Sequence, residues 1–159
     1  MKVEPARARS RRKLRFRDFD EVLADARRVH AEGYARLGNW TPAQAVKHLG
    51  NSIVFSLDGE PFGMPVPVRL FGRLILRYVI LYWRFPAGAR LPRQAERVLV
   101  PGSDTDFDDG MNVLRLAIER LGREPQRTPH PVIGRLSAAQ WNKFHLRHAE
   151  LHLSFFVLP

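Results

Sequence analysis

A chain of 159 residues, 45% of them hydrophobic and none cysteine, has the length of one domain and enough apolar content to build a core without covalent staples. The lack of cysteine excludes disulfides, thiolate metal sites and a cysteine nucleophile, so any metal must be held by histidine, carboxylate, carbonyl or water. The formal net charge is +10, but residues 1–17 place eight basic residues against Glu4 alone, which leaves a nearly balanced body and no specific nucleic-acid surface.

Residues 1–13 read as a basic disordered tail whose removal should leave stability unchanged, and residues 14–159 as the folded domain. Ser10-Arg11-Arg12-Lys13-Leu14 has the arginine pair of a twin-arginine export signal, but the charged run Arg17-Asp18-Phe19-Asp20-Glu21 stands where that signal needs an apolar one. A cytoplasmic location is therefore expected. The first helix should open at Asp18, with Glu21 completing a capping box, continue through Val22, Ala26, Val29 and Tyr34 at helical spacing, and stop at Gly38. A second helix is announced by Thr41 as N-cap, Pro42 in the first turn and Gln44 three residues after the cap, and should run to about Leu57.

Between Asp58 and Ser103 lies a long crossover with a very apolar segment from Val68 to Phe85. Arg69, Arg73 and Arg77 recur through it every four residues, and each would cost about 2.5–3.5 kcal/mol at the centre of a bilayer. The segment is accordingly expected not to span a membrane but to be an amphipathic helix packed on the body, the alternative being one that lies on a membrane surface. Arg97-Val98-Leu99-Val100 reads as a short extended piece. A third long helix should start near Asp104 to Asp106, carry Phe107, Met111, Leu114, Ile118 and Leu121 inward, and stop at Gly122. Ser137 and Gln140 make a further capping box, with Leu136 and Trp141 placed as a hydrophobic staple, and open the last helix.

That last helix carries His148 and His152. Helical neighbours at i and i+4 stack on one face, so both imidazoles can converge on one point. Trp141, Phe144, Phe155 and Phe156 are expected on the same side, and Lys143, Arg147, Glu150 and Ser154 on the opposite, outward side. A buried imidazole left without partners costs about 1–3 kcal/mol, and a bound metal ion is one way to supply them. Useful affinity for a zinc- or nickel-like ion needs a third ligand, and His48, on the flank of the second helix's apolar stripe beside Gln44 and Ser52, is the best placed. His145, three residues before His148, is an additional imidazole for the surroundings of the site, as is the Gln44 amide for its second layer; hydrogen bonding within the core is the alternative role for His145. His145 and His152 are two turns, roughly 10 Å, apart and cannot share an ion. His30 and His130 read as structural or exposed. The H-A-E-L-H run misplaces the carboxylate of a metalloprotease H-E-x-x-H motif, and no serine, histidine and acid arrangement can be singled out, so no catalytic acid or base is identified.

Trp40-Thr41-Pro42-Ala43-Gln44-Ala45-Val46-Lys47-His48-Leu49 resembles the W-[ST]-x-x-Q-x-x-x-H-L start of the second helix in the DinB-like superfamily of metal-binding four-helix bundles. His130-Pro131-Val132-Ile133-Gly134-Arg135-Leu136-Ser137, then Trp141 and His148-Ala149-Glu150-Leu151-His152-Leu153, is similar to the H-P-x-x-G-x-L-[ST]…W…H-x-x-x-H-L pattern of an uncharacterised branch of that superfamily. Together with the Leu14-Arg15-Phe16 entry to the first helix, the likeness spans nearly all of residues 14–156. It implies an all-α, up-down-down-up four-helix bundle whose long crossover carries an extra helix, and a divalent metal, zinc or nickel, held by His48, His148 and His152. It also implies a small-molecule substrate, either a thiol or a hydrolysable compound, since characterised relatives include thiol-dependent S-transferases and isomerases; Leu151 departs from the histidine that similar sequences often carry there. A homodimer is compatible with the chain. The alternative is a binding module without catalysis, stabilised by metal, that meets an anionic partner through its tail or its arginine stripe.

Overall fold

The computed structural model describes residues 10–59, 63–83, 85, 88 and 93–159, and the protein is mostly helical. Helix α1 spans Phe19–Glu32; Asp18 caps it by accepting from the Glu21 amide at 2.9 Å, while the Glu21 carboxylate turns back to the Arg17 amide instead of closing a reciprocal box. The helix ends at Gly33, whose φ of +82° suits a residue without Cβ, and not at Gly38 as the spacing of Tyr34 suggested. The chain is then extended through β1 (Ala35–Arg36), which pairs antiparallel with β2 (Phe156–Val157), Ala35 opposite Val157 and Arg36 opposite Phe156. This two-residue ladder ties the end of α1 to the end of the chain.

Helix α2 (Pro42–Asp58) has both halves of its capping box, Gln44 N to Thr41 Oγ1 and Thr41 N to Gln44 Oε1. Helix α6 (Phe107–Arg123) is capped by Asp106, which accepts from the Asp108 and Asp109 amides. The two helices approach closely because each offers the other a glycine: a Cβ on Gly50 would stand 2.9 Å from the Leu114 nitrogen, and one on Gly110 would stand 2.9 Å from the Ala43 oxygen. Helix α7 (Ala138–Leu153) opens with a complete Ser137–Gln140 box. Helices α1, α2, α6 and α7 bury one shared core that includes Val22, Val29, Val46, Ile53, Leu114 and Leu153.

The crossover runs through α3 (Val66–Phe71), a π-helical turn (Gly72–Leu76) and α4 (Arg77–Tyr82) as one rod, then through α5 (Arg93–Leu99). The rod is the extra helix expected between Val68 and Phe85, but only Gly72, Ile80 and Leu81 are buried along it. Ile80 and Leu81 join Ile133, Trp141 and Phe144 in a second, smaller core. Arg93–Leu99 is a helix where the valine-rich run predicted an extended piece: Ala95 and Leu99, four residues apart, both turn inward, and that contact outweighs the modest preference of valine for strands.

Two further expectations meet a different outcome. Arg147, Glu150 and Ser154, assigned to the outward face of the last helix, are buried. What covers them is the chain entering α1: Arg147 donates to the Phe16 oxygen at 2.7 Å, the Phe16 amide donates to Glu150 at 2.7 Å, and Arg147 pairs with Glu150 at 2.9 Å. Of the stretch assigned to a disordered tail, residues 1–9 lie outside the described residues, but Arg12 is seated on the body. It forms a bidentate pair with Asp25, both bonds 2.7 Å, and donates to the Leu153 oxygen at the end of α7.

Candidate metal centre

The three histidines singled out from spacing converge. His48 comes from the second turn of α2, and His148 and His152 from the last two turns of α7. One ligand nitrogen from each lies within 4.8 Å of the other two. His148 Nε2 stands 3.2 Å from His48 Nε2 and 3.0 Å from His152 Nε2. His48 is 2% exposed and His148 is buried, while His152 keeps part of its surface open.

The orientation of His48 has a cause that sequence reasoning missed. Leu99 is the last residue of α5, so its carbonyl has no intrahelical donor, and it accepts from His48 Nδ1 at 2.8 Å. A carbonyl only accepts, so the proton sits on Nδ1 and the Nε2 lone pair is bare, aimed at the other two rings. The signal for this was the run ending at Leu99, but read as a strand it offered no free carbonyl. Aromatic rings hold the remaining members. Trp40 lies parallel to His152 with centroids 5.1 Å apart and meets His48 edge-on at 4.6 Å, and Phe85 stacks on His148 at 5.1 Å.

Electrostatics keep the cluster neutral. Burial pushes His48 down to about 4 against a partial upward pull from the Leu99 carbonyl. His148 is held well below the ordinary histidine value by burial first and then by the neighbouring His152 and His48 rings, and His152 by burial, His48 and Arg11. Three neutral imidazoles with nitrogens this close cannot satisfy one another: each carries a single proton, and the His148 Nδ1 is buried with no hydrogen-bond partner among the described residues. A cation accepts all three lone pairs at once, and an all-imidazole donor set without thiolate or carboxylate fits a borderline ion of the zinc or nickel kind.

The other predicted site residues lie elsewhere. His145 is buried one turn before His148 and bonds to Ser56 Oγ at 3.0 Å; because that hydroxyl donates to the Ile53 oxygen at 2.7 Å, His145 Nε2 is the donor in the pair. Burial and the nearby Arg127 and His130 push its pKa to about 3. His145 therefore pins α7 to α2 inside the core. Gln44 spends its amide on the Thr41 cap and on the carbonyls of Pro101 and Gly102, at 3.4 and 3.3 Å, which fixes the loop ahead of α6. His130 accepts the Val132 and Ile133 amides on Nδ1 and closes a tight turn on Gly134. His30 stacks face to face on Phe107 at 3.9 Å.

Neither a curated protein nor a solved structure matches this chain. Residues 8–158 match one family profile, described as a protein of unknown function, and the match spans both helices that carry the triad and the loop that precedes the second. The chain thus belongs to the DUF1569 family.

Proposed function

We propose that this protein binds a divalent metal ion through His48, His148 and His152 and uses it on a small molecule, in thiol transfer or hydrolysis. The observation that carries the reading is the convergence of three Nε2 atoms, that of His48 left unprotonated because its Nδ1–H donates to the Leu99 carbonyl. Three neutral ligands leave a usual fourth position free, and His152 is the member of the triad that keeps part of its surface open. Such an ion supplies Lewis acidity that lowers the pKa of a water or thiol. The chain's own contribution is to hold the rings: Leu99 fixes the His48 tautomer, Trp40 and Phe85 fix two ring planes, and Arg12 holds the end of α7.

A DinB-like, up-down-down-up four-helix bundle is the fold that goes with this site. Its support is the shared core of α1, α2, α6 and α7, together with the long crossover between α2 and α6. A second reading, a module whose metal only stabilises it, draws on the packing. Trp40 and Phe85 crowd the triad, and the cavity on which Phe85 also borders, with Arg11, Leu14 and Leu151, is lined by none of the three histidines and holds about 30 Å³, room for a water.

The experiment is a screen of the metal-loaded protein against low-molecular-weight thiols with electrophilic acceptors and against ester and amide substrates. Turnover that disappears in His48→Ala supports the enzyme. If wild type is no faster than His48→Ala across the screen while it still binds metal, the module reading takes its place.

A further inference from the structure

The rod formed by α3, the π-helical turn and α4 has an outer face that nothing among the described residues covers. Leu70, Phe71, Leu74, Ile75, Tyr78 and Tyr82 each expose between 52% and 63% of their surface, and Trp83, at the end of the rod, exposes 76%. The inward face is narrow. Gly72 meets Val132 so closely that a Cβ would stand 2.5 Å from the Val132 oxygen, and Ile80 and Leu81 fill the small core. In a regular α-helix Gly72 and Ile80, eight residues apart, would diverge by almost a quarter turn; the wide turn, in which the Arg77 amide reaches back to the Gly72 oxygen, brings them to one side. The outward apolar stripe therefore runs uninterrupted over the whole rod.

The charges around this stripe point to what covers it. Residues 61–95 contain six arginines and no aspartate or glutamate. Arg69 and Arg73 are exposed along the rod, and Lys143 from α7 sits over the Tyr82 ring at 4.0 Å. Arg77 is turned inward to Gln140 at 2.8 Å, which anchors the rod to the start of α7 rather than to an outside partner. A symmetric pairing of two copies would bring these cationic fringes together with no acid of the segment to offset them. A bilayer with anionic headgroups offers both complements, acyl chains for the stripe and negative charge for its fringe, and the tyrosines and tryptophan suit the interfacial layer. The rod cannot cross: no described helix is long and apolar enough, and 17 residues from Val66 to Tyr82 rise about 25 Å against a hydrocarbon core of about 30 Å.

We propose that residues 66–83 form a membrane-docking surface that lies in the headgroup layer of anionic bilayers. The test is flotation of the full-length protein with vesicles of phosphatidylglycerol and phosphatidylcholine in equimolar mixture, alongside pure phosphatidylcholine vesicles. Wild type should float with the anionic vesicles and stay behind with the neutral ones. Leu74→Glu/Ile75→Glu should lower partitioning on the order of a hundredfold, and Arg69→Glu by about tenfold, with melting curves unchanged. Wild-type tryptophan emission should be quenched by brominated lipid, and Trp83→Phe should remove that quenching, a readout that needs no destabilising change. Wild type that fails to float would overturn the proposal, as would floating of Leu74→Glu/Ile75→Glu at the wild-type level, because binding would then reside in basic residues outside the rod. A reversible dimer in sedimentation equilibrium that Leu74→Glu/Ile75→Glu abolishes, with no vesicle binding, would overturn it in favour of a second copy of the chain.

Discussion

One helix carries two kinds of buried histidine, and the contrast between them shows what burial alone does not decide. At His145 the Nε2 proton is met from inside the protein: Ser56 accepts it, Ser56 in turn donates to the Ile53 oxygen, and Trp141 stacks on the ring at 5.3 Å. One turn further on, His148 faces two other imidazole nitrogens and leaves its Nδ1 without a partner among the described residues. Both are buried and both are pushed toward neutrality by that burial. What separates a core histidine from a ligand is therefore whether the structure closes the donor and acceptor account around it.

The sharpest way to break this contrast is to supply the ion. If the triad is a ligand set, zinc at a hundredfold excess over its dissociation constant should stabilise wild type by about 2.7 kcal/mol, measured by urea unfolding with and without metal. The same addition should leave His148→Ala unmoved. Replacing His145 with Ala should give the opposite pattern. The protein should lose roughly 2 kcal/mol, because a packed ring is removed and Ser56 loses a partner, while its metal content stays at the wild-type level. Metal lost from His145→Ala while its fold persists would erase the distinction.

Acid provides a graded test on the closed side of the comparison. His145 is held at about 3 and His130 at about 4, both mainly by burial, against about 6.5 in the unfolded chain. Between those values the unfolded state binds more protons, so stability should fall as pH drops below about 6.5 and level off once the folded-state values are passed. For His145 the slope is at most about 1.4 kcal/mol per pH unit, and His145→Asn should remove that share of it in denaturation curves taken from pH 7 to about pH 4. The smallest effect belongs to Arg12, which grips the Leu153 carbonyl beside the triad and not the turn that holds His145. Arg12→Ala should cost about 1 kcal/mol and loosen metal binding several-fold, as seen by competition with a chelating dye, with the pH slope unchanged.

Much of this was legible in the sequence because its signals are local. The Thr41–Gln44 and Ser137–Gln140 boxes are complete in the structure, and the i, i+4 spacing of His148 and His152 brings their rings to one point with His48. The misreadings share a physical origin in long-range packing. Arg147 and Glu150 look solvent-facing on a helical wheel, but both are buried and both hydrogen-bond to the backbone of Phe16, more than a hundred residues away in sequence. Arg97 to Val100 looks extended until Ala95 and Leu99 find the core, and with that helix comes the carbonyl that orients His48. The basic start of the chain looks unstructured by composition, but Arg12 has a partner in Asp25 that charge counting cannot locate. For His145 the spacing left open both a place beside the site and a hydrogen bond within the core, and Ser56, which makes that bond, lies on another helix.

Where His48, His148 and His152 meet, an ion is expected. Elemental analysis by inductively coupled plasma spectrometry, on untagged protein reconstituted with zinc or nickel and passed through gel filtration, tests it most directly. Wild type and His145→Ala should hold stoichiometric metal, and His148→Ala only background. Equal metal content in wild type and His148→Ala, or background metal in all three, would contradict it.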